Sequence, residues 1–92
     1  MNKDKAIITV VGRDTVGILA ETCRYLAKAN VNILDISQTV LQNLFNMMMI
    51  VDLSGSRLPF GDLAAGLAKV GAKLGLEVRC QKSEIFEKMH RV

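Results

Sequence analysis

The run Gly12-Arg13-Asp14-Thr15-Val16-Gly17-Ile18-Leu19 follows a β-branched apolar stretch and leads into a helical apolar pattern. A strand that turns into a helix near Asp14 or Thr15 leaves several first-turn N–H groups without intrahelical acceptors, pointing where a carboxylate could accept them. Gly17 lets a ligand approach the backbone closely, and the Arg13 guanidinium could pair with the same carboxylate. This is the chemistry of anion binding rather than of bond making. Plainer readings stand beside it: Gly17 relieves crowding against a sheet, and Arg13 is solvated as loop arginines usually are. Asp14 or Thr15 is expected to cap the helix in either case.

Few other residues are of types that do chemistry. Asn32 is either a turn residue after the first helix or a polar ligand contact. With strict alternation, Asn32 and Gln38 share one face of their strand, and Asp35 and Ser37 the other. Met47-Met48-Met49 reads as core filler or as an adaptable binding surface. Met48 is the one to watch, on a half-polar open face with Ile50, Leu44, Ile8 and Val10, where an apolar patch would be unfavourably wet in a monomer. Cys23 and Cys80 lie far apart with no CxxC or Cys/His cluster, which argues against a metal site and a disulfide framework and for reduced thiols. The lone histidine, His90, has only Glu87 as a nearby partner, so a solvated or tail-packing role is expected and no catalytic residue is assigned. No metal, cofactor or enzymatic activity is expected.

These residues need elements to position them. Ala6 to Val11 is an apolar β-branched run closed by Gly12, which reads as a central strand buried on both faces. Ile18, Leu19, Thr22, Cys23, Leu26 and Ala29 recur at helical spacing and mark a helix ending near Asn30. Asn32–Leu41 and Leu44–Leu53 read as strands of a hairpin turned at Gln42-Asn43, with Phe45, Met47, Met49, Val51 and Leu53 facing the helices. A loop from Ser54 to Pro59 precedes a second amphipathic stripe, Phe60, Leu63, Leu67, Val70 and Leu74, stopped by Gly75 in the left-handed position. Gly66 and Gly71 weaken that helix by about 1 kcal/mol each relative to Ala, so packing must hold it. Leu76 to Lys82 alternates, with Leu76, Val78 and Cys80 inward. Ser83 can cap a short tail helix with Ile85, Phe86, Met89 and Val92 on one side.

The sum is α+β, a ferredoxin-like β-α-β-β-α-β arrangement with an antiparallel sheet, two helices on one face and a short C-terminal helical segment over residues 83–92. At 92 residues the chain is one domain, residues 1–92. A domain of this length buries only about 60 to 68% of its unfolded surface, which makes pairing with a second copy a natural supplement. Its composition, 50% hydrophobic and 23% charged, excludes disorder and low-complexity architectures. The 12 basic residues against 9 acidic ones give +3 without any run of like charge, so no nucleic-acid partner is expected. No apolar run approaches the roughly 18 residues of a membrane span, and the start is too short for a signal peptide, so a cytoplasmic protein without a membrane partner is expected.

Function must be read from sites, because ferredoxin-like folds host many. An RNA-recognition module needs aromatics on its central strands, and AIITVV has none. A metal carrier of this topology needs paired cysteines in the first loop, which here reads GRDTVG. An acylphosphatase would use a phosphate cradle in that loop, yet the longer glycine-rich run is missing and Asp14 would repel an anion.

The Gly12–Leu19 loop resembles the strand-to-helix loop of ACT domains, where an acidic residue and a glycine precede an Ile/Leu pair. Val31-Asn32-Ile33-Leu34-Asp35-Ile36 is similar to the start of that family's second strand. NVNILDISQT, the Met-rich third strand and EIFEKMHRV resemble the stand-alone single-ACT proteins of bacteria and archaea. The resemblance covers nearly all of residues 5–92. It implies a non-enzymatic regulatory homodimer that binds an amino-acid-like ligand through Arg13, Asp14, Thr15, Val16, Gly17 and Ile18, with Asn32 contributed by a neighbouring copy. Many ligand-binding members carry a basic residue and a proline where this chain has Thr15 and Val16, which leaves the ligand's identity open. The alternative is a ligand-free interaction module that docks on a metabolic or transcriptional regulator through its Ile85/Phe86/Met89 tail.

Overall fold

The computed structural model describes residues 4–13 and 16–82. The elements run β1 (Lys5–Arg13), α1 (Ile18–Lys28), β2 (Asn32–Leu41), β3 (Leu44–Asp52), α2 (Phe60–Leu74) and β4 (Leu76–Lys82). The strands form one antiparallel sheet in the order β2-β3-β1-β4. This is the expected ferredoxin-like topology, with β1 central. The expected tail helix, residues 83–92, lies outside the described residues.

Period-two patterning decides which side of the sheet the core occupies. Phe45, Met47, Met49 and Val51 are buried on β3, and so are Ala6, Ile8 and Val10 of β1, which pair with Val51, Met49 and Met47. They pack with Ile18 and Leu26 of α1 and Leu63 and Leu67 of α2 in a single cluster. Ile8 and Val10, placed above on the open face beside Met48, therefore belong to the core. Strand parity runs through the β1–β3 register, Ile8 opposite Met49 and Val10 opposite Met47, and it puts Ile7, Thr9 and Val11 on the open side instead. Burial on both faces holds for Ala6, Ile7 and Ile8, whereas Val11 is exposed.

Local chemistry ends the elements where their residues permit. Gln42 and Asn43 take φ of 52 and 69, the paired positive values of a two-residue hairpin turn whose twist matches the strands. Gly75 ends α2 with φ 75. The two glycines inside α2 have a packing reason. A Cβ on Gly66 would collide with the Tyr25 phenol of α1, and one on Gly71 would meet Val78 Cγ2 and, at 3.1 Å, Leu76 O. α2 approaches α1 closely at Gly66 and β4 closely at Gly71 because these side chains are missing. Thr22, the buried polar residue of α1, donates its hydroxyl to Ile18 O at 2.8 Å and so is satisfied within its own helix.

Candidate functional site

The first loop leaves β1 at Arg13 and enters α1 at Ile18. Gly17 is the N-cap residue, left-handed at φ 94, and among the described residues nothing lies within 4 Å of where its Cβ would stand. Relief of crowding is thus not its role; the backbone conformation is. Gly17 holds the cap position, with no side-chain cap hydrogen bond from the described residues; the expected capping by Asp14 or Thr15 falls on residues outside those described. The N–H of Glu21 reaches Gly17 O at 2.9 Å as the first intrahelical bond. The N–H groups of Ile18, Leu19 and Ala20 are accordingly those that α-helix geometry leaves without an intrahelical acceptor.

The side chains around this turn differ sharply. Ile18 is 3% exposed and belongs to the core, so only its amide could meet a ligand. Val16 is 96% exposed. Arg13 is exposed and lines a surface hollow with Gln42, Asn43 and Leu44. The hairpin turn thus forms one wall of the site. In the sequence Gln42 and Asn43 show turn chemistry alone; their place follows from β1–β3 pairing, which sets Arg13 opposite Leu44.

Asn32 sits elsewhere. It begins β2 opposite Asp52, and it lines a second hollow with Asn30, Ser54 and Gly55. The turn role open to Asn32 falls to Asn30, which holds φ 62 and donates Nδ2 to Gly55 O at 2.9 Å. Asp52 accepts the Ser54 N–H at 3.0 Å, and these bonds to Ser54, helped by Lys5, hold its carboxyl below the usual range. At about 3.4 Å per residue, β3 carries the chain about 27 Å from Leu44 to Asp52. Within one chain Asn32 is therefore at the opposite end of the sheet from the first loop.

A β-bulge revises the faces of β2. Ile33 pairs with Val51 and Asp35 with Ile50, so Leu34 is an extra residue and the alternation changes phase there. Asn32 and Gln38, expected on one face, stand on opposite ones, because Gln38 pairs with inward Met47 and Asn32 with Asp52. Beyond the bulge, Asp35, Ser37 and Thr39 share the open face with Ile50, Met48 and Asn46. Strict alternation in a sequence cannot register an inserted residue. The two thiols have no part in either hollow: Cys23 and Cys80 pack against the core, and burial pushes the Cys80 thiol up to about 11.

Comparison with known proteins agrees with this architecture over the whole described chain. The ACT domain family model matches residues 4–81. A UPF0237 protein of Bifidobacterium longum is 55% identical over 89 residues, covering 97% of this chain and 99% of that protein. A UPF0237 protein of Methanocaldococcus jannaschii is 44% identical over 88 residues, covering 96% and 98%. Among solved structures, an ACT domain protein from Streptococcus pneumoniae superposes with a TM-score of 0.79 at 42% identity, covering 90% of this chain and 93% of that one. Among the described residues no helix is long and apolar enough to cross a membrane.

Proposed function

The chain belongs to the ACT domain family, whose members are typically regulatory and ligand-binding, and from that premise we propose that it is a non-enzymatic, cytoplasmic homodimer that senses a small carboxylate-bearing metabolite such as an amino acid. The ligand's carboxylate takes the amides at the start of α1, beside Arg13, Thr15, Val16 and Gly17, and the Asp14 carboxylate takes the ligand's ammonium group. Asn32 of the partner subunit closes the site.

One observation carries this reading: the separation of Asn32 from the loop within a chain, together with the edge position of β2. This strand is exposed over nearly its whole length, with Leu34, Ile36, Val40 and Leu41 among the exposed large apolar residues. A long exposed edge, with its row of unpaired N–H and C=O groups, is a template for pairing with another strand. Antiparallel pairing of two β2 strands about their midpoints brings Asn32 of one copy beside Leu41 of the other, next to the hairpin. With strands about 4.8 Å apart, three spacings separate that Asn32 from Arg13, about 14 Å. A ligand and the loop side chains span such a gap; the roughly 27 Å of a single chain is too far.

Equilibrium sedimentation over micromolar concentrations tests the dimer, and a monomer mass throughout contradicts it. Titration calorimetry with each common amino acid tests the loop. The Asp14→Ala variant should lose the heat that the parent chain gives, and identical heats would remove the loop from the site.

A further inference from the structure

The sheet face turned away from α1 and α2 carries a contiguous apolar patch. Ile7 of β1 stands opposite Ile50 of β3, with Met48 next to Ile50 on the same face. Met48 is 44% exposed, whereas Ile7 is 8% exposed although its strand parity directs it to the open side. The patch continues toward Val11 and Leu44, both exposed. Such an area on one face of a small domain needs a cover.

We propose that residues 83–92 of the same chain are that cover, with Ile85, Phe86 and Met89 laid against Ile7, Ile50 and Met48. The chain leaves β4 at Lys82, which pairs with Ala6, so the segment starts at the end of the sheet where Ile7 and Ile50 lie. Gln81, the residue before it, pairs with Ile7 itself. The segment Ser83-Glu84-Ile85-Phe86-Glu87-Lys88-Met89-His90-Arg91-Val92 places Ile85, Phe86, Met89 and Val92 on one side at helical spacing and its charges on the other. A helix of that length runs about 15 Å, and three strand spacings make the sheet about 14 Å wide, so segment and face match in extent. A second copy is the less suitable occupant. It would have to bring together two faces that each carry Arg79, Glu77 and Asp35 around the apolar centre, stripping water from all of them.

The proposal does not rest on the loop or on any ligand. Its test is isotope-filtered nuclear Overhauser spectroscopy on the full chain, in a sample mixing labelled and unlabelled protein. Cross-peaks from the Phe86 ring to the Ile7, Ile50 and Met48 methyls within one chain are expected. Their absence, or their appearance only between chains, overturns the proposal, the latter by showing that a second copy supplies the cover. In the full-length Phe86→Glu variant, fluorescence of an apolar dye should rise several-fold with the far-ultraviolet dichroism kept. Unchanged dye binding by that folded variant would equally contradict it.

Discussion

Gly17 is the residue at which backbone and proposed function meet most closely. Its φ of 94 is unfavourable for any side chain, and no described residue crowds it. Gly17→Ala should therefore cost about 1–2 kcal/mol through backbone strain rather than collision, read as a lowered urea midpoint. A midpoint equal to the parent's would mean that the turn relaxes freely and does not hold the amides in place. Cys80 makes a separate prediction through pH. Its folded thiol is raised by burial from 9.0 to about 11, so folding favours the protonated form. The stability from that preference is complete below about pH 9 and is lost as pH rises toward 11. Tyr25, raised mainly by burial and next by the Asp62 charge, contributes in the same direction. Urea melts should weaken over that range, and Cys80→Val should flatten part of the fall; parallel curves for the two proteins would contradict the assignment.

At the scale of elements, α2 and β2 make opposite points. Ala is the better helix former by about 1 kcal/mol, yet Gly71→Ala should destabilise by about 1–3 kcal/mol because its methyl meets Val78 and the Leu76 carbonyl. A stabilised Gly71→Ala protein in a thermal melt would show that the helix can shift away from β4. On β2 the prediction concerns association: Ile36→Asp on the exposed edge should weaken dimerisation at least tenfold by sedimentation while leaving the dichroism spectrum intact. The order of elements, the hairpin turn at Gln42-Asn43, the inward set on β3 and the stop at Gly75 were all legible from spacing, because each depends on residues adjacent in the chain. The placement of Ile8 and Val10 was not, since the run from Ala6 to Val11, with Thr9 as its one polar residue, shows little parity until its partner sets one. Leu34 misled for a related reason: nothing in NILDISQTVL marks which residue the ladder skips. Of the candidate site, the loop was the part that the sequence could suggest. The second wall was not legible, because Gln42 and Asn43 reach Arg13 only through strand pairing.

For the whole molecule, size and geometry point the same way. A chain of 92 residues has little core to spare, and its first loop and Asn32 lie at opposite ends of one sheet. In the proposed dimer association joins what the fold separates, and ligand occupancy and subunit affinity become one linked equilibrium. Ligand should therefore tighten the dimer. Sedimentation with and without a binding amino acid checks this, and equal dissociation constants would uncouple the two. The most direct measurement is complementation between two defective chains. Asp14→Ala and Asn32→Ala proteins, each titrated alone with an amino acid that the parent binds, should give no binding heat. Mixed and allowed to exchange subunits, they should regain it, since one site of each mixed dimer then has both an intact loop and an intact Asn32. Silence from the mixture, or full binding by either variant alone, would contradict a site shared between two copies.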